Sequence, residues 1–115
     1  MRRSLAVAAL ALAIPLAVPA AAAPKADPRE CPGYTDVALV ARALAMDDID
    51  APRSARILAR IYDTQGDARV EDIVRAIVAA AQRDKSASAG AFAQRLGLAC
   101  VRGGGDMDAV LGTGA

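Results

Sequence analysis

The side chains best equipped for chemistry in this chain of 115 residues are two thiols, Cys31 and Cys100, and what surrounds them in composition restricts their use. No histidine is present. A Ser-His-Asp or Cys-His catalytic arrangement, a finger-type zinc site and an imidazole pH switch are therefore excluded. The two cysteines do not form a CxxC pair, and no imidazole is available to draw a proton from either thiol. Redox chemistry, an intermolecular bond or free thiols are the alternatives to a structural bridge. In an oxidising compartment, two cysteines near the ends of a domain read as one disulfide, and within the chain only one pairing exists. A Cys31–Cys100 bridge closing a loop of roughly 70 residues is the expectation, worth roughly 4 kcal/mol by restricting the unfolded chain.

Carboxylates are the next candidates. Asp47, Asp48 and Asp50 are close enough in sequence to offer several oxygens to one hard cation, and Asp63 and Asp67 flank Gly66 in the same way. Neither stretch has the twelve-residue calcium-loop pattern with its terminal glutamate, so helix caps and solvated loop acids are the plainer reading. A facing carboxylate pair for glycosidase-like acid and base catalysis needs a cleft. Only two glutamates occur, Glu30 beside a cysteine and Glu71 on an expected helix surface. No enzyme activity, metal or cofactor is expected. The three aromatics, Tyr34, Tyr62 and Phe92, are either core residues or anchors of a partner-binding surface. The glycines at 103–105 lack both the following lysine and the preceding strand of a phosphate-binding loop.

The compartment is read from the first 22 residues. Arg2 and Arg3 are followed by an apolar run from Leu5 to Val18 and by small residues from Ala20 to Ala23, the three parts of a secretory signal peptide. Ala20 and Ala22 occupy the small-residue positions for cleavage after Ala22. An uncleaved anchor is the competing reading, opposed by Pro15 and Pro19 and by the weak hydrophobicity of alanine. A lipid anchor is opposed by Arg29 and Glu30 just before Cys31. Cleavage would leave 12 basic side chains against 13 acidic ones. With neither a basic patch nor interleaved aromatics, nucleic-acid binding is not expected. Abundant Ala, Arg and Asp with scarce Lys and Asn suggest a GC-rich bacterial coding sequence, and export points to the periplasm or the medium.

The elements that must hold the cysteines follow from periodicity. Residues 23–30 read as a flexible lead-in without fixed structure. From Thr35 as N-cap, a first helix is expected to about Met46, with Tyr34, Val37, Val40, Ala41 and Leu44 inward and Asp36 and Arg42 elsewhere. Asp50 caps a second helix with Pro52 in its first turn, Ala55, Leu58, Ile61 and Tyr62 on one face, Arg53, Arg56 and Arg60 mostly on another, and Gly66 as its stop. Asp67 caps the third, whose Val70, Ile73, Val74, Ile77, Val78 and Ala81 make the strongest apolar stripe in the chain. Ser86 or Ser88 caps the fourth, which carries Phe92, Leu96 and Cys100, and where Gly97 costs about 1 kcal/mol unless a neighbour packs closely. Residues 103–115 are expected as a flexible tail with one short helical turn from Asp106. The fold class is all-α: a small four-helix bundle over residues 31–102, closed by one disulfide. Its count of larger apolar side chains, Leu39, Met46, Ile61, Leu98 and Val101 among them, is only just sufficient for a core.

A signal peptide, Cys31 ahead of a first helix and Cys100 at the end of a last one resemble small exported, disulfide-bridged helical proteins of Gram-negative bacteria, and in outline the periplasmic acid-stress chaperones. The resemblance covers residues 31–100 and transfers no functional residue beyond the two cysteines. The missing chemistry and the leader lead to the expectation of a non-enzymatic exported module working through a protein partner or in envelope stress, with no stable membrane association once the leader is removed. Two alternatives accompany it. Eleven of the 13 acidic residues are aspartates, so full protonation would leave a charge near +12 and could loosen the bundle in acid, as in an acid-activated chaperone. The aspartate loops could instead make a weak divalent-cation module.

Overall fold

The computed structural model describes residues 24–112, and the expected signal peptide lies outside them. Among these residues all regular structure is helical: α1 (Cys31–Met46), α2 (Ala51–Tyr62), α3 (Ala68–Arg83), α4 (Ala89–Arg102) and a single turn, α5 (Asp108–Leu111). None of these helices is long and apolar enough to cross a membrane.

Three of the four expected caps are in place. Asp50 accepts a hydrogen bond from the Arg53 amide at 2.8 Å, Asp67 from Val70 at 3.2 Å and Ser88 from Ala91 at 3.1 Å. Each occupies one of the amides that a helix start leaves open. The fourth differs. α1 begins at Cys31 with Pro32 in its first turn, and the Thr35 hydroxyl donates back to the Cys31 carbonyl at 2.9 Å. A proline needs no amide partner in a first turn, so the helix extends one turn beyond the nearest hydroxyl cap. α2 also stops before Gly66: Asp63 takes the left-handed conformation at φ 53° and ends the helix.

α1 is the central element. It lies antiparallel to α4, which places Cys31 beside Cys100 and Thr35 beside Gly97, and it also packs on α3 and α2. Phe92, Leu58, Ile73, Ile77 and Leu96 are the largest fully buried side chains, joined by Tyr34, Val37 and the alanines Ala38, Ala41 and Ala81. Leu39, Met46, Ile61, Leu98 and Val101, counted toward the core from sequence, are exposed. These positions fall on faces of their helices that no neighbouring helix covers.

Both ends of the domain depart from expectation. The lead-in is not without fixed structure: Pro28–Glu30 form a 3-10 turn running into α1, with Asp27 accepting from the Arg29 amide and Glu30 accepting from the Asp27 amide, each at 2.9 Å. Nor are residues 103–112 a loose tail. The buried Ala26 donates its amide to the Gly105 carbonyl at 2.9 Å, while Met107 and Leu111 fill the core and Arg83 donates to the Leu111 carbonyl at 2.7 Å. Gly105 is required at this crossing, since it sits at φ +101° and an added Cβ would lie 1.9 Å from the Ala26 oxygen.

Candidate functional site

The two cysteines meet as expected. Cys31 at the start of α1 and Cys100 in the last turns of α4 form a disulfide with 5.7 Å between Cα atoms, and both residues are buried. The bond ties together the ends of a loop spanning 69 positions, next to the Ala26–Gly105 crossing. A buried bridge between packed helices is shielded from attacking thiolates. Such a bond is consistent with an oxidising, extracytoplasmic location.

The aspartate loops are used locally. Asp47 follows the end of α1, Asp48 adopts φ 62°, and the Asp50 carboxylate is occupied by the Arg53 amide. Asp67 is likewise engaged as a cap, and Asp63 closes α2. Among the described residues no three carboxylate, thiol or imidazole groups gather where they could hold one metal ion. Of the aromatics, Phe92 and Tyr34 are core residues, and Tyr62 is half-buried against the core. Burial, and then the nearby Glu30 charge, push the Tyr34 phenol up to about 12. Burial and the Asp36 charge raise that of Tyr62 as well.

A small ionic network fixes the start of the domain. Arg69 on α3 grips both Glu30 oxygens, at 3.1 and 2.9 Å, and this fork holds the Glu30 carboxyl below the ordinary carboxylate range. Asp27 is held down to about 2, chiefly by the Arg29 guanidinium and then by the Arg29 amide.

Sequence reasoning placed Arg42 off the apolar stripe, and the structure corrects this. Arg42 is buried, and its guanidinium donates to three backbone carbonyls: Ala81 at 3.0 Å, Lys85 at 3.0 Å and Ala87 at 2.8 Å. These belong to the last turn of α3 and the loop leading to α4, where carbonyls have no amide partners and the helix dipole is negative. The available signal was spacing, because Arg42 follows Ala38 by four and so shares the buried face.

The surface also carries hollows. A cleft of about 310 Å³ between α2 and α3 is bordered by Arg56, Arg60, Thr64, Glu71 and Arg75. A groove of about 630 Å³ between α4 and α5 is lined by the apolar Leu98, Ala99, Ala109 and Val110 together with the charged Arg95, Arg102, Asp106 and Asp108. With this geometry established, comparison with known proteins adds no further assignment: no protein-family model matches the chain, and no curated protein or solved structure matches it.

Proposed function

We propose that this chain is exported and acts as a disulfide-stapled helical module that binds a protein partner and performs no covalent chemistry. The observation that carries the reading is the buried Cys31–Cys100 bond, which joins the two ends of the helical domain. A thiol pair committed in this way is structural, and it presupposes passage through an oxidising compartment. The groove between α4 and α5 supports the contact role. Its lining combines apolar and charged side chains as a protein-binding patch does, and Leu98 in the lining and Val101 one turn along α4 are exposed.

The test uses protein recovered from the cell envelope. The intact mass is expected to match a chain cut after Ala22 and lighter by the two hydrogens lost on disulfide formation. A photo-crosslinker at position 98 is expected to give one discrete adduct, and the same group at position 53 is not expected to do so. Two free thiols with the leader attached would overturn export, and absence of a discrete adduct at position 98 would overturn the contact role.

A second reading, an acid-activated chaperone, is favoured by one feature. Asp27, Asp50 and Asp67 each accept a helix-start amide, so protonation weakens three element starts together. Hydrophobic-dye fluorescence followed from neutral pH to about 2, together with protection of an aggregating client, separates the two. A rise in both supports this reading, whereas a dye-silent protein throughout ends it.

A further inference from the structure

The arginines of α2 have no structural duty. Ser54 and Leu58 face the core, and the three-and-four spacing of Arg53, Arg56 and Arg60 sets all three guanidinium groups on the outward side. The helix itself contains no acidic residue. Among the described residues, none of these three side chains makes an ion pair or a hydrogen bond, whereas Arg29, Arg69, Arg75 and Arg95 each pair with a carboxylate. Arg56 and Arg60 border the α2–α3 cleft, and with Arg53 and Ile57 they border an adjoining hollow as well.

The cleft adds two features. Arg75 approaches from α3, already oriented by its ion pair with Asp72. Thr64, in the loop after α2, lines the same cleft and has a hydroxyl oxygen that is buried without a protein hydrogen-bond partner. Buried hydroxyls are nearly always hydrogen-bonded, so an orphaned one at a cleft wall is a feature that a ligand can satisfy. Glu71 is the one carboxylate lining the cleft, and it is engaged with the Gly66 amide at 3.3 Å. In the cleft three guanidinium groups, Arg56, Arg60 and Arg75, meet the Glu71 carboxylate and that of Asp72 paired with Arg75, leaving one positive charge in excess, and Arg53 in the adjoining hollow brings the excess to two in a chain whose expected mature form is close to neutral.

We infer that the cleft bordered by Arg56, Arg60, Thr64 and Arg75 is a binding site for a phosphate group. Guanidinium groups present paired N–H donors that match phosphate oxygens, and they do so at lower desolvation cost than an ammonium. A phosphate carrying close to two negative charges balances the local excess, which a single carboxylate would leave half uncompensated. The Thr64 hydroxyl supplies a neutral donor for a remaining oxygen. The site lies on α2 and α3, separate from the α4–α5 groove, and does not depend on the partner-binding reading.

The phosphate could belong to a soluble compound or to an anionic lipid headgroup, and the experiment distinguishes them. The full mature, oxidised protein is titrated at pH 7.5 with inorganic phosphate, with chloride at equal ionic strength as control, while the arginine Nε–H and backbone amide NMR signals are followed. A parallel arm uses vesicles of phosphatidylcholine with and without phosphatidic acid, whose headgroup is a phosphate monoester. Saturable shifts at Arg56, Arg60 and Thr64 with phosphate assign a soluble ligand. Binding confined to the phosphatidic acid vesicles assigns a headgroup. In either arm R56Q/R60Q is expected to weaken binding about tenfold or more, T64V by a smaller factor, and K85Q, in the loop at the other end of α3, not at all. Helical circular dichroism checks that the variants fold, and Arg56, Arg60 and Lys85 are all exposed. No saturable change in either arm, or equal binding by R56Q/R60Q, overturns the assignment.

Discussion

The Arg42 guanidinium lies 3.0 Å from the Ala81 carbonyl oxygen, inside the bundle, and the same group also reaches the Lys85 and Ala87 carbonyls. One side chain of α1 thus closes the end of α3 and fixes the loop that launches α4. Its partners are dipoles rather than a counter-ion, so the charge is stabilised by the unfilled carbonyls of a helix end. Arg42→Met keeps much of the aliphatic bulk but orphans three acceptors. It is expected to lower the unfolding free energy by about 3 kcal/mol in urea titrations, given roughly 1.5–3 kcal/mol for hydrogen bonds to charged groups. Arg42→Lys should recover only part of this, because one ammonium cannot span the three carbonyls. A loss below about 1 kcal/mol in Arg42→Met would show that the clasp is dispensable.

Gly97 on α4 faces Thr35 on α1, and a Cβ built there would stand 2.6 Å from the Thr35 hydroxyl oxygen. The close approach of α1 and α4 therefore offsets the helix penalty of glycine. Gly97→Ala alone is expected to destabilise by about 1 kcal/mol or more despite better helix propensity. In a Thr35→Ala background the same change should stabilise by up to about 1 kcal/mol. Additive effects in this double-mutant cycle would show that the two residues do not meet.

These pairs mark the boundary of what could be read from sequence. Asp50, Asp67 and Ser88 were legible as caps because a cap is decided within four residues of chain. Cys31 and Cys100 were legible because only one intrachain partner existed. Arg42 was not, since charge predicts exposure unless the neighbour supplying the carbonyls is known, and that neighbour lies about forty positions away. The Ala26–Gly105 crossing was hidden for the same reason: Pro, Gly and charge at both ends suggest loose chain, and only their meeting buries Ala26, Met107 and Leu111. The α2–α3 cleft was half legible. The arginine spacing could be counted, but the approach of Arg75 and Thr64 could not.

The disulfide joins residues already packed together, so its removal should act mainly on the unfolded chain. The double variant C31A/C100A is expected to stay helical and to lose about 4 kcal/mol, on the chain-entropy account of a loop this long. Because both cysteines are buried, the native protein should resist mild thiol reductants until it opens. Rapid reduction in the absence of denaturant, with the far-ultraviolet spectrum unchanged, would contradict that burial.

On the acid side, Asp27 and Glu30 are both held below their ordinary values, so each stabilises the fold above the unfolded carboxylate range and loses that contribution as pH falls through its folded value. For Asp27 the window runs from about 3.8 down to about 2. The carboxyl carbon shift of Asp27 is expected to titrate near 2. In R69Q, Glu30 should move back up toward 4.5, because the Arg69 fork is the main cause of its depression. An unchanged Glu30 midpoint in R69Q would remove Arg69 from that role.

The alkaline side is governed by a different group. Tyr34 is buried beside Glu30, and its phenol is pushed up to about 12 from an ordinary 10.0. For an acid whose neutral form is favoured by folding, the contribution is complete below the unfolded value and disappears as pH rises through the folded one. Stability should therefore fall between pH 10 and about 12 as the unfolded chain gains tyrosinate that the fold refuses. Tyrosinate absorbance is the direct readout: in urea both tyrosines should ionise near 10, whereas in the native protein Tyr34 should ionise only near 12 or on unfolding. Tyr34→Phe leaves Tyr62 as the sole chromophore, still raised by burial, and should reduce the fall in stability. If Tyr34 in the folded protein is half ionised at pH 10, its ring is open to water and its place in the core is wrong.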